Sequence, residues 1–205
     1  MKAFPEFYRK DVMIMPIVPY GSPILRKQCS PVDKNYDGLD KLIENMWHTL
    51  ENANGSGLAT PQINLPIRIF IIDSETSFNT MNPEERKVHF EGDNGIREVF
   101  INPEITEYSE AKCDDLEGCL SIPGVAAIVS RPYAVKIEYY DRNFQKHTKA
   151  FNGLTARIIQ HEFDHIEGRL YLDYLSSLKM KLLTKKLAQI KKGRYACEYP
   201  MRRIK

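Results

Sequence analysis

Residues 160–165 read Gln-His-Glu-Phe-Asp-His, a pattern whose parts come together only in a helix. Residues four positions apart lie on the same helix face, so the imidazoles of His161 and His165 can reach one ion. Apolar side chains recur with helical spacing around them and predict a buried helix over about 154–166: Leu154, Ile158, Ile159, Phe163 and Ile166. Glu162 lies between the histidines, where its carboxylate can act on a metal-bound water rather than on the metal.

The competing interpretation of these histidines is a hydrogen-bonded pair in the core, without an ion. Burying two histidines and two acids with no ion beside them costs free energy, which favours a metal site. Catalytic metal sites usually have three protein ligands and one open position. The position where a metzincin has its third histidine is Tyr171, and neither Glu167 nor Glu198 lies in a suitable helix. The third ligand is therefore expected upstream.

Cys119 is the best upstream candidate. It lies in the segment Glu117-Gly118-Cys119-Leu120-Ser121 near a strand edge, where its sulfur can project while the neighbouring backbone stays exposed. On its own, such a cysteine is more commonly a small buried side chain. The other three cysteines lack comparable surroundings and are interpreted in that ordinary way: Cys29, Cys113 and Cys197.

The rest of the chain adds two helices and several short strands. An apolar stripe with helical spacing predicts a helix over about 38–53, with Asp37 as its N-cap and Asn54-Gly55 as its end. A further helix is predicted over about 175–191. Strands are predicted at 67–72, 99–102, 125–129, 135–140 and 146–151. We therefore expect an α+β fold, with short, mostly antiparallel strands packed around a central metal-binding helix and a helix towards each end.

The 205-residue length fits a single domain with a substantial core. Residues 74–97 are charged and rich in turn residues, and we interpret them as a surface insertion because motif residues lie on both sides. No apolar run approaches the roughly 18 residues that a membrane helix needs. Residues 9–18 resemble a signal peptide only weakly, so 12–18 are predicted to form an early strand or an extended arm.

The formal net charge of +2 hides an asymmetry. Residues 1–178 carry 19 Lys and Arg against 26 Asp and Glu, whereas residues 179–205 carry 10 against one, so the two parts have charges of −7 and +9. The acidic body argues against a general nucleic-acid-binding protein, and the basic segment suggests a separate electrostatic role. Four cysteines are too few for a disulfide scaffold, so a reducing compartment, the cytoplasm, is expected.

Three motifs together resemble those of the peptide deformylase family. Glu-Gly-Cys-Leu-Ser stands at 117–121, the Gln-His-Glu helix motif at 160–165, and a Gly-x-Gly-x-Ala-Ala-x-Gln motif appears at 55–62 as Gly-Ser-Gly-Leu-Ala-Thr-Pro-Gln. The motifs follow in the family's order, with 57 residues from Gln62 to Cys119 and 42 from Cys119 to His161. The resemblance implies a metal-dependent hydrolase that removes the formyl group from the N-terminal methionine of newly made polypeptides and releases formate.

The resemblance also implies roles for individual residues. Three residues would hold one divalent metal: Cys119, His161 and His165. In the family that metal is ferrous iron, and zinc, nickel or cobalt can occupy the site. A metal-bound hydroxide would attack the formyl carbon, with Glu162 as general base and acid. The side-chain amide of Gln62 and the backbone N–H of Leu120 would stabilise the oxyanion.

The peptide substrate would contact a further set of residues: Gly55, Ser56, Gly57, Gly118, Leu154 and Ile158. Gly55 and Gly57, the glycines of the Gly-x-Gly motif, allow an extended peptide to approach the backbone closely. The two apolar residues would line a pocket for the methionine side chain. Gln160 and Asp164 would support the site from behind, with Asp164 accepting a hydrogen bond from a ligand histidine.

The chain departs from the family pattern at three positions near the site. Thr60 replaces the second alanine of the first motif, Ser56 replaces an apolar rim residue, and Ala126 lies where many bacterial members have a basic residue. These changes bear on substrate contacts rather than on the chemistry. Two alternatives stay open: a metallopeptidase that uses the same helix, and a drifted, non-catalytic ribosome-associated relative whose structural metal would normally need four ligands.

The basic segment 179–205 begins within the predicted C-terminal helix. One face of that helix is predicted to dock on the body: Leu178, Leu182, Leu183, Leu187 and Ile190. The lysines are predicted to face outwards: Lys181, Lys185, Lys186, Lys191 and Lys192. Bacterial relatives dock on the ribosome through a C-terminal helical extension, so the resemblance implies ribosomal RNA as a partner of this segment, and no DNA or membrane partner.

Overall fold

A computed structural model of the protein describes residues 12–203. Within that range the helices are α1 Leu39–Asn52, α2 Ser74–Thr80, α3 Pro83–His89, α4 Gly153–Ile166 and α5 Ser177–Lys191. The strands are β1 Gly57–Ala59, β2 Ile69–Asp73, β3 Arg97–Tyr108, β4 Lys112–Gly118, β5 Ala126–Pro132, β6 Ala134–Tyr140 and β7 Lys146–Asn152. The predicted α+β fold is confirmed, and β1 and β4 are the strands that the sequence pattern missed.

The larger sheet has five antiparallel strands in the order β1-β2-β3-β6-β7, and β4 and β5 form a separate antiparallel pair. Strand β2 is buried along its whole length, which places its alternating side chains in two different cores. Ile69 and Ile71 face α1, whereas Phe70 and Ile72 face α4. The sheet is therefore covered by a helix on each face, and α4 has the central position that its sequence predicts.

Helix α1 forms where its apolar stripe predicts it, but its first turn differs. The N-cap is Gly38 rather than Asp37, and Gly38 has a φ of 73°, a left-handed conformation that favours glycine. The chain turns into the helix through this glycine, so the aspartate one position earlier does not cap it. The end of α1 is close to the predicted one, because Asn54 also takes a positive φ of 49° and stops the helix.

Segment 74–97, the predicted surface insertion, contains the two short helices α2 and α3. The carboxylate of Asp73 caps α2 by accepting a hydrogen bond from the Thr76 N–H at 2.9 Å. The segment packs on the beginning of α4, where the hydroxyls of Ser74 and Thr155 lie 2.9 Å apart. These contacts fix the N-terminal end of the helix that carries the two histidines.

Residues 12–18 form an extended arm rather than a regular strand. The backbone N–H groups of Met13 and Met15 donate to the side chains of Asn45 and Thr49 on α1. Residues 9–11 of the weak signal-like stretch lie outside the described residues. None of the described helices is both long and apolar enough to cross a membrane.

Helix α5 docks on a third core cluster through Leu187 and Ile190, as predicted. The prediction for the beginning of its apolar stripe was wrong: Leu178 and Leu182 are 70% and 77% exposed. The covered side of α5 instead carries Met180, Leu183, Leu187 and Ile190, which pack on the third core cluster along most of the helix. The five lysines predicted to face outwards are all exposed.

Candidate metal centre and active site

Helix α4 carries two histidines and a glutamate into the interior. His165 and Glu162 are 1% and 3% exposed, and the His161 side chain is 11% exposed at the floor of a cleft. The centroids of the two imidazole rings lie 5.1 Å apart, as the spacing of four residues predicts. Burial alone would make charged forms costly here, and it is the main reason that the pKa of His165 lies well below its usual value.

Cys119 reaches the same point from the other side of the cleft. It follows β4 directly, and its Sγ lies 3.2 Å from Nε2 of His165. The potential ligand atoms of Cys119, His161 and His165 all lie within 4.8 Å of one another. A thiolate and two imidazoles suit several first-row divalent metals, so the donor set fits the metal that the sequence predicts.

Glu162 lies beside this group, and its carboxylate makes no side-chain hydrogen bond with the described residues. Its Oε2 is buried and has no hydrogen-bond partner among the described residues, so the hydrogen-bonding capacity of this carboxylate is not used by the fold. Burial raises the pKa of Glu162 to about 7, and neighbouring charges add smaller effects in both directions. A β-carbon at Gly57 would come within 2.5 Å of Oε1 of Glu162, so only glycine allows β1 to pack this closely.

Glu117 orients His161 through a buried ion network. The Nδ1–H of His161 donates to Oε2 of Glu117 at 3.0 Å, which leaves the other ring nitrogen for an ion. Arg131 binds the same carboxylate through two nitrogens at 2.6 and 2.9 Å, and Arg157 contacts it at 2.6 Å. Burial would raise the pKa of Glu117, but the hydrogen bonds from His161 and Arg131 outweigh it and lower the pKa to about 2.

Asp164 does not hold a ligand histidine, and that prediction was wrong. Its carboxylate accepts hydrogen bonds from Arg131 at 2.8 Å and from the Tyr174 hydroxyl at 2.9 Å. Asp164 therefore supports the site one layer further out, through Arg131. Gln160 also points away from the ligands, because its amide donates to the carbonyls of Pro132 and Ala156.

The two arginines are functional residues that sequence reasoning missed. Arg131 and Val129 are the buried residues of β5, so a charged side chain occupies an inward-facing strand position. A buried arginine needs a charged partner, and this alone could have indicated the network. Arg157 lies four residues before His161 on α4, where it reaches the same carboxylate.

Gln62 presents its amide to the site from a single turn of 3₁₀ helix, Thr60–Ile63. Its Oε1 accepts a hydrogen bond from the Ala59 N–H at 2.8 Å, which turns its Nε2 towards Cys119, 3.6 Å from Sγ. The hydroxyl of Thr60 donates to the carbonyl of Ile69 at 3.1 Å, or to that of Ile67, and so points into the fold rather than into the site. The extra hydroxyl that Thr60 brings in place of the family's alanine is therefore hydrogen-bonded to backbone carbonyls and does not enter the site.

A cleft of about 520 Å³ opens above these groups. All six residues predicted to contact the peptide line it: Gly55, Ser56, Gly57, Gly118, Leu154 and Ile158. Leu120 and Ala126 also lie on its walls. Tyr199, from the C-terminal tail, is a wall residue that the sequence analysis did not identify.

The family model described as polypeptide deformylase matches residues 14–181. The chain belongs to this family. A peptide deformylase of Christiangramia forsetii is 48% identical over 192 residues, covering 93% of this chain and 96% of the relative. The chain is therefore an enzyme, a hydrolase with peptide deformylase activity, as the three motifs predict, and the metallopeptidase and non-catalytic alternatives are not favoured.

Solved structures of deformylases share the fold. A Plasmodium falciparum peptide deformylase in complex with an inhibitor is 35% identical, with a TM-score of 0.71 over 86% of this chain and 99% of that one. An Acinetobacter baumannii class I type b peptide deformylase with bound Met-Ala-Ser is 30% identical, with a TM-score of 0.69 over 80% of this chain and all of that one.

Proposed function

We propose that the chain hydrolyses the formamide of N-formylmethionine at the start of newly made polypeptides, with Cys119, His161 and His165 as the metal ligands. The carrying observation is the convergence of these three donor atoms within 4.8 Å at a cleft that also holds Glu162. Ferrous iron is the proposed native metal, and zinc, nickel and cobalt fit the same donors. A divalent cation bound there supplies a Lewis acid that lowers the pKa of water and polarises the formyl carbonyl.

Glu162 moves the proton in this proposal. Its carboxylate accepts a proton from the attacking water and returns it to the methionine nitrogen as the C–N bond breaks, which releases formate and the free amine. The Gln62 amide and the Leu120 N–H donate to the oxygen that becomes negative in the tetrahedral intermediate. The Ala59 N–H donates a hydrogen bond to Oε1 of Gln62, and this orients the Gln62 side-chain N–H groups for that role.

The peptide is proposed to lie along β1. This strand is at the edge of the five-stranded sheet, so an extended chain can pair with its outer side at Gly57, before the Ala59 N–H that donates to Gln62. Leu154 and Ile158, on the α4 side of the cleft, offer an apolar wall for the methionine side chain. The Acinetobacter relative with bound Met-Ala-Ser supports a short peptide that begins with methionine as the ligand.

The proposal is tested by anaerobic purification with iron or nickel, followed by measurement of formate released from a formyl-Met peptide. Formate release at a rate that follows metal occupancy is expected. A fully metal-loaded protein that releases no formate would contradict the proposed function.

Cys119→Ala is expected to lose most of its bound metal, because two imidazoles alone leave the ion without its anionic ligand. Metal content per chain after desalting is the measurement. Cys29→Ala is a matched control, since Cys29 is buried outside the site and burial raises the pKa of its thiol to about 11. If Cys119→Ala retained one metal per chain, Cys119 would not be a ligand.

We further propose that the enzyme acts in the cytoplasm and that basic residues of 179–205 contact ribosomal RNA. The four free cysteines fit a reducing compartment. Lys181, Lys185 and Lys192 share one exposed side of α5 through their helical spacing, and the exposed Leu178 and Leu182 lie next to that side. Residues 204–205 of the basic segment lie outside the described residues.

Charge reversal tests this docking without removing the tail. Lys181→Glu, Lys185→Glu and Lys192→Glu together are expected to weaken ribosome binding and to reduce the slope of log Kd against log salt by about 1 for each lysine that contacts phosphate. Formate release from a short peptide should not change. The control reverses three exposed lysines elsewhere: Lys34, Lys41 and Lys112. Equal loss of binding in both triple variants would show that net charge alone is responsible.

A further inference from the structure

The C-terminal tail returns to the body instead of continuing away from α5. The Ile17 N–H donates to the carbonyl of Pro200 at 2.9 Å, and the Arg202 N–H donates to the carbonyl of Ile17 at 2.7 Å. These bonds form a parallel bridge between Ile17 and Met201. Tail residues 199–202 are thus fixed against the N-terminal arm, and the tail has a structural partner within the protein.

The arm also joins the two segments proposed to stabilise the oxyanion. The Val18 N–H donates to the carbonyl of Gln62, and the Tyr20 N–H donates to the carbonyl of Ser121, both at 2.7 Å. The tail therefore pairs with the same short arm that connects Gln62 to the segment after Cys119. Its position next to the catalytic groups follows from backbone hydrogen bonds.

Tyr199 extends from this tail into the cleft. Its hydroxyl donates to the carbonyl of Leu120 at 2.8 Å, across 79 positions of sequence. Its ring lines the cleft and packs, together with Leu120, against the core cluster that includes α1. The Leu120 side chain is held on its other side by close packing at Gly55, where an added β-carbon would come within 3.0 Å of it.

We infer that Tyr199 is a positioning residue for deformylation: its hydroxyl fixes the Leu120 carbonyl and so the direction of the Leu120 N–H, while its ring forms part of the substrate wall. The Leu120 N–H lies in the same peptide plane as the Cys119 carbonyl, which accepts a hydrogen bond from the Ile122 N–H at 2.8 Å, and the Leu120 carbonyl lies in the next plane. Holding both planes limits rotation of the N–H about the Leu120 α-carbon. This inference rests on the proposed function, because it requires the Leu120 N–H to donate to the oxyanion.

The hydroxyl and the ring are expected to affect different kinetic constants. Tyr199→Phe removes only the hydroxyl, and kcat is expected to fall by roughly 3- to 10-fold, the equivalent of one hydrogen bond, while KM changes less than about twofold. Tyr199→Ala also removes the aromatic ring from the wall of the cleft and is expected to raise KM, because the substrate loses that contact. Tyr195→Phe is the matched control, since Tyr195 lies on the same tail and packs on a different core cluster.

The deciding experiment measures kcat and KM for formyl-Met-Ala-Ser, and the affinity for the product Met-Ala-Ser, on metal-loaded full-length variants. Product affinity should be unchanged in Tyr199→Phe, because the product has no oxygen at the oxyanion position. A kcat equal to that of the wild type, or a fall that only follows lost metal or a lower Tm, overturns the inference. A metal-loaded wild type without formate release would instead overturn the proposed function, and the inference with it.

Discussion

Glu162→Gln is expected to keep its metal and to lower kcat by about 10²–10⁴-fold, the usual contribution of a general base or acid. The amide has nearly the shape of the carboxylate but cannot accept and return a proton. Glu162 is buried beside the donor atoms, and its Oε2 has no hydrogen-bond partner among the described residues, so its carboxylate is available for proton transfer. Formate release and metal content, measured on the same preparation, check the prediction.

The control for this variant is Glu75→Gln, a substitution of an exposed glutamate on α2, which should leave both quantities unchanged. Loss of metal from Glu162→Gln in proportion to activity would mean that Glu162 acts as a ligand. Retention of full activity with full metal would mean that the proton is moved by another group.

Glu117→Gln is expected to destabilise the fold by about 3–5 kcal/mol and to weaken metal binding by roughly 10–100-fold. The substitution leaves Arg131 and Arg157 buried, with side-chain exposures of 3% and 5%, and with much of their compensating negative charge removed. It also removes the anionic acceptor that orients His161. Urea unfolding of metal-loaded protein gives the free energy of unfolding, and competition with a chelator gives the metal affinity.

A surface ion pair provides the comparison for Glu117. Glu107→Gln removes the partner of Lys136 at 2.8 Å, on side chains that are 67% and 44% exposed. Such exposed pairs are worth about 0–1 kcal/mol, so little change is expected. Similar losses for both variants would show that the buried network stabilises the protein no more than an ordinary surface contact does.

The sequence predicted those parts of the site that lie within one element. His161, Glu162 and His165 follow from their spacing on α4, because helix geometry alone places them around one point. The element types followed from apolar periodicity in the same way. Short β1 and the polar strand β4 were missed because three residues, or a strand exposed at most positions, leave little periodic signal.

Errors of prediction arose where packing selects among locally equivalent choices. Asp37 and Gly38 are both acceptable helix starts, and the direction of the entering chain selected Gly38. Nine residues separate Leu178 from Leu187, which places them on opposite sides of α5, and the core covers only the side that carries Leu187. The leucines of α5 are spread over more than one side of the helix, and tertiary packing decides which side is covered.

The sequence by itself determined the candidate ligand residues, the central helix and the family, because each depends on residue identity and short-range geometry. Only the tertiary structure decided that Glu117 rather than Asp164 orients a ligand histidine, since Arg131 arrives from β5 and binds both carboxylates. Tertiary structure also decided that Tyr199 holds Leu120. Such contacts join residues far apart in the chain, and their geometry is fixed by how strands, arm and tail pack, which no local pattern encodes.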